Sequence, residues 1–247
     1  MEEAANPGTP RPTVESGHEA PHRDVRGGGA RAAVFGVSDG LVTNVSLMLG
    51  VAGASPGASF VRLAGLAGLV AGAFSMGAGE YVSMQAQREL FERELNVERE
   101  ALHQSPQKER DELVAIYEGR GIDPGVAREL VDEVMQDPDL ALETHAREEL
   151  GIDAKALGNP WQAAITSFAM FAIGAFIPLL PWLFSSGTAA LVASIVLSGV
   201  AALTVGALLA VFTGRSRVRS ALRQLGVTAV AAGITYAIGR AAGVSVH

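Results

Sequence analysis

Two sets of side chains in this 247-residue chain have the types and spacing to do chemistry. The first lies in apolar surroundings. Asp39 sits within Phe35-Gly36-Val37-Ser38-Asp39-Gly40, and Met76 and Glu80 sit within Ser75-Met76-Gly77-Ala78-Gly79-Glu80-Tyr81. An ionised carboxylate at the centre of a bilayer costs at least ~2.5–3.5 kcal/mol, and such residues mark ion paths. Two carboxylates beside a methionine, in stretches otherwise made of Ala, Gly, Val and Leu, point to a pathway for a divalent metal ion. Asp39 either takes up a proton or faces a polar interior, and both suit a proton- or cation-coupled path. Each residue also has a plainer role: Asp39 could cap a helix break at Asp39-Gly40, Met76 could fill a packing gap, and Glu80 could reach to the headgroups.

The second set is polar. Glu94 and Glu98 are four apart and share a helix face, Glu109 and Glu112 are three apart, and His145 and Glu149 are again four apart. Converging carboxylates with an imidazole suit Fe²⁺, Mn²⁺ or Zn²⁺, whereas carboxylates alone would also suit Ca²⁺ or Mg²⁺. The competing role is a solvated helix face with arginine neighbours. Glu100-Ala101-Leu102-His103 is a Glu-x-x-His, but a ferritin-like di-iron site needs two such motifs and this chain has one.

The elements that must position these residues are helices. Ala32–Ala54 and Phe60–Met84 are each long and apolar enough to cross the hydrocarbon. In the second, Ala64, Gly68, Gly72, Met76 and Glu80 recur every four residues and form a stripe that admits another backbone. No breaker follows before Leu102, so this span should run on as a charged helix, Gln85–His103. Three shorter helices follow, after Ser105-Pro106, Asp123-Pro124 and Asp137-Pro138. Each pair places a capping oxygen before a proline at the first helical position. Trp161–Phe184, Gly187–Phe212 and a short Leu225–Gly239 give spans three to five. The expected fold is an all-α membrane protein of five transmembrane helices. A helical bundle is inserted between spans two and three. The divisions are a disordered tail at 1–30, spans one and two at 31–86, an acidic metal-binding domain at 87–155, and spans three to five at 156–247.

Composition supports the division. The chain has 29 glycines, no cysteine and a net charge of −7. Residues 87–155 hold 19 of its 26 acids against 9 of its 19 bases, so an acidic module interrupts a mildly basic, apolar chain. That balance argues against nucleic-acid binding. Thiolate metal sites are excluded, and no phosphate loop, dinucleotide fingerprint or Ser-His-Asp arrangement points to a soluble enzyme. Arg215, Arg217, Arg219 and Arg223 form the densest basic cluster, in the expected loop between spans four and five. The positive-inside rule places that loop, the acidic module and the N-terminus in the cytoplasm.

Three features resemble the vacuolar iron transporter family: Phe35-Gly36-x-x-Asp39-Gly40-Leu41, the run Ser75-Met76-x-x-Gly79-Glu80-Tyr81-Val82-Ser83, and the inserted acidic helices. The resemblance covers nearly everything after residue 30. It implies a five-span homodimer whose first spans line a path at the two-fold axis, moving Fe²⁺ and often Mn²⁺ out of the cytosol in exchange for protons. It also implies that the pore Asp and Met fall on Asp39 and Met76. The family's metal-binding glutamates fall on Glu98, Glu109, Glu112 and Glu149. Two departures stand out: Ala101 replaces an expected glutamate, and His145-Ala146 replaces a Met-Met pair, giving a harder, imidazole-containing site. The short loops and Arg-rich composition resemble bacterial members, which implies a plasma membrane. A non-enzymatic, proton-coupled exporter is the expectation. The alternative is a membrane-anchored, ferritin-like metal-binding or storage protein without transport.

Overall fold

The computed structural model describes residues 28–54, 57–153 and 157–244. Eight α-helices follow one another: α1 (Gly28–Ala54), α2 (Ala58–Gln104), α3 (Pro106–Gly119), α4 (Pro124–Val134), α5 (Pro138–Glu148), α6 (Pro160–Phe184), α7 (Gly187–Thr213) and α8 (Arg217–Val244). Five of them, α1, α2, α6, α7 and α8, are long and apolar enough to cross a membrane. The tail at 1–30 falls almost wholly outside the described residues.

The five long helices gather around α1, which packs against α6, α8, α2 and α7. Lipid tails supply no hydrophobic force between helices, so close backbone approach has to hold them together. Gly40 and Gly174 provide it. A Cβ at Gly40 would overlap the Phe171 carbonyl of α6, and one at Gly174 would overlap the Val37 carbonyl of α1. At the other end, Gly239 of α8 lies directly on the carbonyl of Gly50. Outward faces are apolar and exposed: α8 shows Val227, Val230, Ile234 and Ile238, and α2 shows Leu63, Leu66, Val70 and Phe74.

α1 is unbroken through Asp39-Gly40, so the helix-break role for Asp39 is overturned. Gly40 is there for packing against α6. The small-residue stripe of α2 differs in kind from the expectation. A Cβ at Gly68 would meet the Leu47 and Asn44 side chains of α1, and one at Gly72 would meet the Phe171 ring of α6. These glycines make room for large side chains, not for another helix backbone.

α6 stays helical through Pro178 and Pro181. Two of its carbonyls also accept side-chain donors from neighbouring helices. Asn44 Nδ2 donates to the Ala175 carbonyl at 2.6 Å, and Ser194 Oγ donates to the Pro178 carbonyl at 2.7 Å.

α2 is one continuous helix of 47 residues, as expected from the absence of a breaker. Its charged half leaves the long-helix bundle near Tyr81, whose ring meets that of Trp161 at the start of α6, 4.8 Å between centroids. α3, α4 and α5 pack against one another, and α3 and α5 also against the charged half of α2. Leu113, Val114, Ala127 and Val131 form one small core, and Leu95, Leu142 and Ala146 form another.

Asp123 and Asp137 cap as expected, each accepting two backbone N–H groups, and Asn159 does the same for α6. Ser105 does not. It also ends α2, donating its N–H to the Ala101 carbonyl, and its side chain makes no cap bond. As the single residue between two helices, it takes a backbone conformation set by the turn. α8 begins at Arg217, so Arg217, Arg219 and Arg223 lie on its first two turns, not in a loop.

Candidate metal centre

Three helices of the polar outgrowth each bring acid or imidazole to one point. Glu98 comes from the charged half of α2, Glu109 from the first turn of α3, and His145 and Glu149 from the end of α5. One ligand atom from each lies within 4.8 Å of all the others. Two ligands on opposite sides of one ion, bound at about 2.1–2.3 Å, stand ~4.2–4.6 Å apart. The four groups therefore need only small side-chain shifts to share a single cation.

Their burial is what separates this cluster from a solvated acidic face. Glu98 is 7% exposed, Glu109 4% and His145 fully buried. Packing of Leu95, Leu142 and Ala146 holds α2 against α5 one turn from Glu98 and His145. His145 Nδ1 lies 3.1 Å from Glu98 Oε1 and 3.8 Å from Glu149 Oε2. Despite that proximity, Glu98 Oε1 and both ring nitrogens of His145 lack a hydrogen-bonding partner. Buried polar atoms are ordinarily satisfied. A divalent cation held between Glu98 and His145 would satisfy these atoms.

Electrostatics agree. Burial pushes the Glu98 carboxyl up to about 7, and the negative charges of Glu149, Glu109 and Glu112 push the same way. Lys108 opposes them weakly, standing 3.6 Å from Glu109 and 3.7 Å from Glu112. A cation bound between the carboxylates would reverse the sign of that field. The donor set of three carboxylates and one imidazole suits borderline divalent ions such as Fe²⁺, Mn²⁺ or Zn²⁺.

The other expected residues fall elsewhere. Glu112 faces Lys108, outside the four-residue cluster but close enough to act on Glu98. Glu94 is half-buried one turn before Glu98 and does not join the cluster. Glu100 accepts from Gln104, and both Glu100 and His103 are exposed. In the long-helix bundle, Asp39 is half-buried on α1 and accepts from Thr43 Oγ1 at 3.1 Å. Met76 packs beside Ala73, Phe171 and Ala175. Glu80 is half-buried on α2 near its exit from the bundle. Neither Asp39 nor Glu80 belongs to the outlying cluster.

Sequence reasoning passed over Lys108, whose only signal was its position between two acid pairs. It also passed over Gln224, whose Nε2 donates to Ser38 Oγ at 2.6 Å and ties α8 to α1 next to Asp39. A glutamine opening an apolar run was the available clue.

Five helices long and apolar enough to cross a membrane, with a carboxylate–imidazole cluster able to hold a metal ion on a polar outgrowth, are the features of an integral membrane protein that handles metal. The model of the VIT family matches residues 30–240, and the chain belongs to that family. A protein of Oryza sativa subsp. japonica named vacuolar iron transporter 1 is 33% identical over 228 residues, 92% of this chain and 90% of that protein. The Arabidopsis thaliana protein of the same name is 32% identical over 85% of this chain and 84% of its own length. A vacuolar iron transporter of Acanthamoeba castellanii is 40% identical over 62% of this chain.

Proposed function

We propose that this protein transports Fe²⁺, with Mn²⁺ as a second substrate, out of the cytosol in exchange for protons. The observation that carries the reading is the convergence of Glu98, Glu109, His145 and Glu149 around unsatisfied, buried donor atoms. Glu98 rides on the same helix that forms a membrane span, so captured metal is delivered toward Glu80 at the mouth. The names of the relatives support iron as cargo.

In this reading α3–α5 and the N-terminus face the cytoplasm of a cell bounded by a bacterial-type plasma membrane. The arginine cluster at the α7–α8 junction supports that orientation through the positive-inside rule. Two copies of the chain pair, and Asp39 and Met76 from both line the path. Release follows from protonation, because a neutral carboxylic acid is a poor ligand. Loading at the outgrowth works the opposite way: a cation displaces the proton that burial favours on Glu98.

The test is Fe²⁺ flux into liposomes with an imposed pH gradient. Flux that depends on the gradient and is abolished by Asp39→Ala is expected. Wild-type flux from Asp39→Ala would remove the proposed path. Metal binding by the full-length protein with no flux would favour storage over transport.

A further inference from the structure

We propose that the α7–α8 junction binds the phosphate of an anionic phospholipid headgroup. Arg215, Arg219 and Arg223 recur every four residues, so α8 and the turn before it bring them to one side. With Ser216 and Ser220 they line a groove of about 320 Å³. Every lining side chain offers hydrogen-bond donors, and none is acidic or apolar. The floor is set by close packing: a Cβ at Gly206 of α7 would stand 2.6 Å from the Ser220 carbonyl, and Ser220 itself is 4% exposed.

Arginines on a protein surface commonly meet carboxylates, as Arg88, Arg110, Arg120 and Arg147 do in this protein. Among the described residues no acid pairs with Arg215, Arg219 or Arg223, so three guanidinium groups converge with their charge uncompensated. Guanidinium forks match phosphate oxygens in pairs of parallel hydrogen bonds. Basic pockets between spanning helices are a general form of headgroup recognition.

The setting selects a lipid over free phosphate. α7 and α8 are both long and apolar enough to span, so their junction falls at the membrane surface, where lipid phosphates lie. The adjoining face of α8 exposes Val218 (69%) and Leu222 (58%), apolar surface for the acyl chains of a lipid held by its headgroup. Arg217 lies on α8 outside the groove and supplies an internal control.

The experiment is native mass spectrometry of the full-length protein in detergent, titrated with phosphatidylglycerol or, separately, with phosphatidylcholine. Each arginine that lines the groove and meets the headgroup phosphate should be worth roughly fivefold, so the triple variant Arg215→Gln, Arg219→Gln, Arg223→Gln should bind phosphatidylglycerol on the order of a hundredfold more weakly. Arg217→Gln should bind as wild type does, and phosphatidylcholine should bind poorly throughout. A single Arg219→Gln variant, expected to lose roughly fivefold, keeps the test open if the triple variant does not fold. Equal binding by wild type and Arg219→Gln, or an equal loss from Arg217→Gln, would overturn the proposal. Displacement of the lipid by millimolar inorganic phosphate would overturn its lipid assignment and give the groove to the free anion.

Discussion

Glu98 and His145 decide what the outlying cluster does. Glu98 must lose a proton to bind a cation, and its carboxyl is held up to about 7 by burial and by the neighbouring glutamates. Metal affinity should therefore fall about tenfold for each pH unit below that value. Titration calorimetry with Mn²⁺ between pH 5.5 and 8 should show the slope in the wild type and a flatter one in Glu98→Gln. Loss of a partner that merely orients a ligand changes affinity about 10–100-fold, so His145→Ala, which removes a proposed ligand itself, should weaken binding by at least that much. The same shift has a consequence for folding. A carboxyl whose folded pKa lies above its unfolded value binds its proton more tightly when folded. Ionising it then costs stability, fully above about pH 7 and not at all below about pH 4.5. Metal-free Glu98→Gln should melt higher than wild type at pH 8, and the gap should close as pH falls to 4.5.

At the level of single helices, local chemistry and packing make separate contributions that substitutions can tell apart. Asp137 accepts from the N–H groups of Asp139 and Leu140 at 2.9 and 3.3 Å and starts the helix that carries His145. Asp137→Ala should cost about 1 kcal/mol. Ser105→Ala should change stability by less than about 0.5 kcal/mol, because that side chain makes no cap bond. Thermal unfolding of the two variants side by side checks both. Between α1 and α6 the constraint is steric. Gly40 meets backbone, which has no rotamer with which to yield, so Gly40→Ala should destabilise by at least ~1–3 kcal/mol. In detergent this should appear as a lowered melting temperature, with Mn²⁺ binding at the proposed outlying site unchanged from wild type.

Across the whole molecule, α2 joins two regions with different demands. One end packs in apolar surroundings against α1 and α6, and the other brings Glu98 to α3 and α5. If the proposed transport reading holds, the two ends should fail differently. Glu109→Gln should raise the metal concentration needed for half-maximal flux while sparing the maximal rate at saturating metal. Asp39→Ala should abolish the maximal rate without altering metal binding at the outlying cluster. Stopped-flow uptake into liposomes across a range of Fe²⁺ concentrations separates the two outcomes. Equal loss of rate in both variants would mean that the outlying site lies on the obligatory path.

Hydrophobic run length, glycine content and the two aspartate–proline starts were sufficient to lay out the helices, because these are local properties of the chain. The uninterrupted α2 was legible for the same reason. Sequence spacing also put Glu98, Glu109, His145 and Glu149 among the metal candidates, by pairing residues within single helices. It had no means of choosing among the pairs, since Glu94, Glu112 and their partners obey the same spacing rules. Tertiary packing made that choice. The contact of Leu95 with Leu142 and Ala146 brings α2 and α5 together, buries His145 and sets one of its ring nitrogens within 4.8 Å of carboxylate oxygens from two other helices. Burial and convergence across helices are long-range properties, so no periodicity reveals them. Gly40 makes the same point inside the bundle: the sequence suggested a helix break there, and the Phe171 carbonyl lying against it shows a close contact in an unbroken helix.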